Sequence, residues 1–277
     1  MNFKGKKFLS TIIATLMLPS FFASASLYSS SEYSSSDESR STSSSSISDS
    51  FERLQEERLS EICLKLTEIL KDVYENGYKT ERLIIEQIKE SDEEALAEQI
   101  YDEDVTRYFI QTSDGSRILE NFKFASFEHA KAFTAYRRVT SNLKFRARTT
   151  KDPKEILLGE HAFVVRLKDS KEPIGVLGYN ISTEDSKFLL DINYFIGKDY
   201  QQNGYAKEAA AALTNHIFRN ISEGIFLADI YIRNKSSRRV AKHTIDAIIK
   251  EDEKSEDKKS KTYINNMVKY RLEKSLK

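Results

Sequence analysis

Apolar residues are distributed along this chain in three regimes. Residues 8–22 form an apolar run behind Lys4, Lys6 and Lys7, residues 26–50 contain almost no large apolar side chain, and from there onward the apolar positions become periodic. Leu54, Leu59, Ile62, Leu66, Ile69, Leu70 and Val73 recur at helical spacing and predict a helix over residues 51–77, which stops at Asn76-Gly77. Ala95, Leu96 and Ile100, then Phe127, Ala130, Phe133 and Tyr136, predict helices over residues 91–101 and 126–140. Residues 161–168 and 173–181 are rich in β-forming side chains and are joined by Asp169-Ser170-Lys171-Glu172, which predicts an antiparallel hairpin. A third strand is expected over 188–196. Ala206, Ala209, Ala210, Leu213 and Ile217 then predict a helix of about four turns, and residues 225–231 a further strand. Strand, turn, helix and strand in this order form a βαβ unit, whose right-handed crossover makes the two strands parallel. After a charged break at 250–261, Ile264, Met267, Val268 and Tyr270 mark a last strand over 263–272. These elements make one α/β domain, a mixed sheet with helices on both faces.

The first fifty residues carry no core-forming pattern, so the chain divides into four parts. The Lys-rich start, the apolar run and the small-x-small triplet Ala23-Ser24-Ala25 read as a signal peptide over 1–25. Ser, Thr and Pro19 interrupt that run, which is short for a bilayer anchor. Residues 26–50 are a Ser-rich disordered segment, 51–77 a lead-in helix that packs on the domain or meets a protein partner, and 78–277 the folded domain. With 43 basic and 43 acidic residues the chain has no cationic excess, which argues against nucleic acid as a partner. Cys63 is the single cysteine, and the four histidines lack metal-ligand spacing, so no disulfide and no metal site is expected.

The richest segment is Tyr200-Gln201-Gln202-Asn203-Gly204-Tyr205-Ala206-Lys207-Glu208-Ala209, a turn between an apolar strand and an alanine-rich helix. Small residues at 204 and 206 let an anion approach the backbone, and the amides of a helix start face it. The spacing Gln201-x-x-Gly204-x-Ala206 resembles the Q/R-x-x-G-x-G/A signature with which GNAT-superfamily N-acetyltransferases hold the pyrophosphate of acetyl-CoA. Two more segments are similar to the RimJ/RimL-like branch of that superfamily: Thr80-Glu81-Arg82-Leu83-Ile84-Ile85 with Asp104-Val105-Thr106 beyond it, and Asn234-Lys235-Ser236-Ser237-Arg238-Arg239-Val240, an N-x-x-S-x-x-V helix start. The motifs stand in the family's order.

The resemblance implies a GNAT-like, mostly antiparallel mixed sheet, acetyl-CoA as co-substrate and an amine as acceptor, on a protein or a small molecule. It implies cofactor contacts from Ile196, Gln201, Gln202, Asn203, Gly204, Tyr205, Ala206 and Asn234. Asp191 occupies the position of a common family glutamate and is the candidate base, with a surface carboxylate on an alternating strand as the alternative. Ser237 is the candidate proton donor to the leaving thiolate, with a first-turn helix hydroxyl as the alternative. Glu208 corresponds to a frequent first-turn acid that favours the helix dipole. Several positions depart from the pattern: Gln201-Gln202 replaces Arg-Gly, Glu86 replaces a basic residue, and Ile245-Asp246 replaces Gly-Phe. An inactive GNAT-fold effector or interaction module is therefore the alternative function. An exported enzyme of this kind would find acetyl-CoA in a host cytosol. A chain whose signal is not used would find it in its own.

Overall fold

The computed structural model describes residues 44–109, 122–143, 146–147, 150–251, 258–264 and 266–275. The expected signal peptide lies outside the described residues, as does the Ser-rich segment up to residue 43. Helix α1 spans Ser44–Asn76, so it begins ahead of the expected start near Ser50. Nothing in residues 44–50 breaks a helix, and each residue added to an existing helix gains a hydrogen bond without a new nucleation cost. Gly77, at φ +73°, ends it by donating its N–H to the Val73 carbonyl at 3.1 Å. Leu54 and Leu64 are exposed, whereas Ile62, Leu66, Leu70 and Val73 are buried against the domain. No helix among the described residues is long and apolar enough to cross a membrane.

Eight strands form one sheet in the order β1-β2-β3-β4-β5-β6-β8-β7. They are β1 Tyr78–Lys79, β2 Leu83–Gln87, β3 Gly159–Leu167, β4 Pro173–Glu184, β5 Lys187–Ile196, β6 Gly224–Tyr231, β7 Lys258–Ile264 and β8 Met267–Lys274. Helices α2 (Glu93–Tyr101), α3 (Glu103–Thr106), α4 (Phe127–Thr140) and α5 (Pro153–Leu157) lie between β2 and β3. Helix α6 (Tyr205–Asn220) connects β5 to β6, and α7 (Lys235–Glu251) follows β6. Every neighbouring pair is antiparallel except β5 with β6, the parallel pair that the βαβ reading requires.

One correction concerns the C-terminus. The expected single strand over 263–272 is the turn and arm of a hairpin: β7 ends at Ile264, Asn266 turns the chain at φ +64°, and β8 starts at Met267. Asn enters the left-handed region at low cost, so this two-residue turn can interrupt an otherwise continuous apolar run. Part of the supposed charged break is the edge strand β7, whose lysines discourage further pairing.

Alternation along the strands divides the core. Phe163, Val165, Phe188, Leu190, Ile192, Phe226 and Ala228 point to the face covered by α1, α6 and α7, through Leu66, Leu70, Leu213, Ile217, Val240 and Ala241. Ala162, Val164, Val176 and Phe195 point to the other face, beneath Leu96, Ile100 and Ala130 of α2 and α4. Buried His161 sits between α5 and the sheet, and its Nε2 donates to the Leu157 carbonyl at 2.7 Å. Burial, reinforced by neighbouring Arg146, pushes its pKa down to about 3, so it is a neutral structural histidine.

Candidate active site

Strands β5 and β6 are joined at only three register positions, Leu189 with Ile225, Leu190 with Phe226 and Asp191 with Leu227. Both strands continue beyond, to Ile196 and Tyr231, without pairing to each other. The sheet therefore splits from Asp191 onward, leaving strand edges whose backbone groups face a gap rather than a ladder. The gap opens toward the carboxyl ends of a parallel pair, where an α/β crevice takes its ligand.

The turn after β5 closes onto this gap. Ile196 is buried, and its carbonyl accepts a hydrogen bond from Gln201 Nε2 at 3.0 Å, so the Gln201 side chain braces the strand end. Asn203 donates through Nδ2 to the carbonyls of Tyr200 and Gln201, at 3.2 and 3.1 Å. Gln202 adopts φ +65° and Gly204 φ +82°. A Cβ on Gly204 would approach only Arg82 Nη2, at 3.6 Å, so the space over this glycine is open. The first bond of α6 runs from Glu208 N–H to the Gly204 carbonyl at 3.0 Å, which leaves the amides of Tyr205, Ala206 and Lys207 without an intrahelical acceptor. These features fit a pyrophosphate: donor amides, a positive helix end and room for close approach.

Arg82 and Glu208 fasten the turn to the start of β2. Glu208 accepts from Thr80 Oγ1 at 2.6 Å, from Arg82 N at 2.9 Å and from Arg82 Nε at 2.7 Å. Arg82 Nη1 also donates to the Asn203 carbonyl at 3.1 Å, and its guanidinium lies 4.7 Å from the centre of the Tyr205 ring. Burial alone would raise the Glu208 carboxyl, but the hydrogen bonds from Thr80 and Arg82 outweigh it and hold the group below the ordinary glutamate range. The first-turn position does favour an acid for the helix dipole, yet its partners show a specific clamp. Arg82 lies inside the Thr80 to Ile85 motif, but nothing local in the sequence pairs it with a residue so distant.

Asp191 is the last residue of β5 in register with β6, and its side chain lies on the α2/α4 face. Burial first, then the neighbouring Asp229, push its carboxyl up to about 7, while Lys269 acts in the opposite direction. Two residues on, Asn193 Oδ1 accepts from Arg137 Nη2 of α4, and the same guanidinium nitrogen is 2.7 Å from Glu160 Oε1. Gly178 on β4 makes this possible, since a Cβ there would come within 2.8 Å of Arg137 Nη2 and 2.9 Å of Asn193 Oδ1. Tyr108, after α3, packs on Tyr231 at the end of β6 with ring centres 5.8 Å apart. Asn193, Arg137, Glu160, Asp229 and Tyr231 escaped sequence reasoning. Only the strand register, which needs the fold, brings them to one face.

Ser237 and Asn234 lie on the opposite face. Asn234 Oδ1 accepts the Ser237 N–H at 3.1 Å, which makes it the cap of α7, and the Tyr194 hydroxyl donates to the Ser237 carbonyl at 3.3 Å. Asp191 and Ser237 are thus not neighbours on one surface. They approach the gap between β5 and β6 from its two sides.

An acetyltransferase (GNAT) domain model matches residues 82–244. The chain belongs to the GNAT acetyltransferase family, whose co-substrate is acetyl-CoA. Similar solved structures include a GNAT-family acetyltransferase from Bacillus anthracis, at 18% identity and TM-score 0.47, covering 71% of this chain and 96% of that one. A ribosomal-protein-S5-alanine acetyltransferase from Vibrio fischeri aligns at 17% identity and TM-score 0.44 over 72% and 96% of the two chains. The microcin C7 self-immunity acetyltransferase MccE, in complex with acetyl-CoA and AMP, aligns at 14% identity and TM-score 0.47 over 74% and 99%. No curated protein matches the sequence.

Proposed function

We propose that this protein transfers the acetyl group of acetyl-CoA to a primary amine, with Asp191 as the base and the Ser237 hydroxyl as the proton donor to the departing thiolate. The observation that carries the reading is the split between β5 and β6. It begins at Asp191, is flanked by the first turn of α7 across the sheet, and leads to an anion-binding turn at its far end. The turn at 201–206 would hold the pyrophosphate through backbone amides, leaving the gap for the thioester arm. Asp191, with a pKa near 7, is matched to an α-amino group of pKa about 7.7–8.0 better than to a lysine of about 10.4. This match favours an acceptor with a free N-terminus or another weakly basic amine.

The full-length protein incubated with acetyl-CoA and an amine panel tests the proposal. The panel holds a peptide with a free α-amino group, an N-blocked peptide with one lysine and a small diamine, and mass spectrometry identifies the products. Acetylation of the α-amine ahead of the lysine is expected. Release of no CoA with any amine, by protein that binds acetyl-CoA, would instead support an inactive interaction module. Residues 1–25 are further proposed to direct export. Terminal sequencing of protein from its source should read Ser26, and an intact Met1 would refute cleavage.

A further inference from the structure

The split sheet carries a second carboxylate. Asp229 lies two residues past Leu227, the register partner of Asp191, so both aspartates project from the same face on the two strands that border the gap. Lys269 on β8 stands directly opposite Asp229, with Nζ 3.6 Å from Oδ2. The other oxygen, Oδ1, is buried and receives no hydrogen bond among the described residues. A carboxylate with one oxygen ion-paired and the other desolvated has its charge poorly dispersed. That charge is felt by the nearest group of like sign.

We propose that Asp229 is a positioning residue for Asp191, an ionised partner across the gap that keeps Asp191 a strong enough base to take a proton from an incoming ammonium. The charged surroundings of Asp191 are few. Asp229 faces it from β6 and Lys269 from β8. Arg271 of β8, in register with Leu227, stands on the same face but is ion-paired with Glu184 and Glu273, and β4 presents uncharged Asn180 in direct register. Farther along β5, Asn193 leads to the Arg137–Glu160 ion pair of α4 and β3, whose charges offset each other. Burial raises Asp229 as well, and Lys269 counters it. The arrangement follows the rule for adjacent carboxylates, in which ionisation of one holds the proton on the other.

The role in turnover rests on the acetyl-transfer reading above. One N–H bond of the bound ammonium breaks, an O–H bond forms on Asp191, and the freed electron pair stays on nitrogen. That pair forms the C–N bond to the acetyl carbon as the C–S bond breaks, its electrons going to sulfur. The second surplus proton on nitrogen passes through the Ser237 hydroxyl to the thiolate, and Asp191 returns its proton to solvent.

The test reads Asp191 directly, by the pH dependence of its carboxyl ¹³C resonance in the folded full-length protein without substrate. In Asp229→Asn the titration midpoint should fall by about one pH unit yet stay above that of a free aspartate, because burial persists. In Asp229→Glu it should return toward the wild-type value, and in Lys269→Met it should rise. A midpoint unmoved in folded Asp229→Asn overturns the proposal, whatever Lys269→Met does. If Asp229→Asn does not fold, a Lys269→Met midpoint that fails to rise overturns it alone. Where wild type turns over the α-amine peptide, the acid limb of kcat/KM should move with the midpoint, and a limb that stays fixed removes Asp229 from catalysis. Wild type without turnover would defeat the acetyl-transfer reading while the resonance still decides the coupling.

Discussion

The turn at 197–208 and the sheet face bearing Asp191 and Asp229 border the same gap, yet they are built differently. The turn draws most of its parts from one contiguous stretch: Gln201 braces Ile196, Asn203 ties back to Tyr200, and Gly204 caps the helix eight residues after the strand ends at Ile196. Its distant supports are the Arg82–Glu208 clamp and, at its start, the Gly197 N–H bond to the Ile174 carbonyl at 2.9 Å and the ion pairs of Lys198 with Asp102 and Asp104 at 3.6 and 2.8 Å. The face instead assembles β3, β4, β5, β6, β8 and α4, each contributing one or two polar groups. A local device keeps its geometry as long as its own backbone conformation is satisfied. A composite face depends on strand register, and its electrostatics depend on how many charges the register gathers. The turn should therefore fail through backbone strain, and the face through charge.

The face should give the largest effect. Asp191→Asn should lower turnover by about 10²- to 10⁴-fold, the cost typical of a lost general base, with the deficit shrinking as pH rises and the amine deprotonates unaided. Stability should change in the opposite sense. The folded state raises this carboxyl from its usual value to about 7, so its protonated form is favoured. The contribution is complete below about pH 4 and is lost as pH rises through 7. Asn does not ionise, so the variant should match wild type near pH 4 and melt higher at pH 8. A wild-type rate, or a Tm difference independent of pH, would place Asp191 on the surface as a bland carboxylate.

The turn should break at Gly204. Gly204→Val puts a β-branched side chain at φ +82°, with about 1–3 kcal/mol of backbone strain, while its Cβ meets little. Acetyl-CoA affinity should fall by roughly 10- to 100-fold in a protein that still folds. Calorimetric titration of the folded variant decides this, and an unchanged Kd would remove the cradle. Glu208→Ala should be comparable in stability but milder in binding. It leaves the Thr80 hydroxyl and the Arg82 guanidinium without their shared acceptor, at a cost of about 1–3 kcal/mol read as a lowered Tm. Affinity that falls in step with temperature-dependent loosening, rather than at all temperatures, separates the clamp from the cradle.

These contrasts also mark what could be read in the sequence. The βαβ unit and the β3–β4 hairpin were legible because each is written within one contiguous stretch, residues 187–231 and 159–184, bounded by turn residues that separate runs of different period. The β7–β8 hairpin was missed because Asn266 carries the reversal without Gly or Pro, leaving apolar residues on both arms to read as one strand. Asp229 and Arg137 were invisible for a different reason. Each is an ordinary charged residue on a strand or helix, and it gains its meaning only when β5, β6 and β8 align in register or α4 crosses Asn193. Asn234 could be read as a helix start, yet the same pattern could not say that Ser237 would lie across the sheet from Asp191.

The smallest expected effect lies at Gln202, and it sharpens the comparison most finely. This residue replaces the glycine of the resembled motif yet is held at φ +65°, a region where a side chain costs about 1–2 kcal/mol. It is exposed, so no packing compensates. Gln202→Gly should relieve the strain but enlarge the freedom of the unfolded chain, for a net gain of no more than about 1 kcal/mol. Gln202→Val should lower Tm, since β-branching is poorly tolerated at positive φ. Cofactor affinity should respond in the same order, Gly at or above Gln and Gln above Val, because a relaxed turn presents its amides without distortion. Neither substitution should move the Asp191 titration midpoint, since the turn and the face are joined through the β5 backbone and no charge changes. Equal melting temperatures for all three proteins would show that the turn is not held by its own backbone, and a shifted midpoint would show that the two regions are one electrostatic unit.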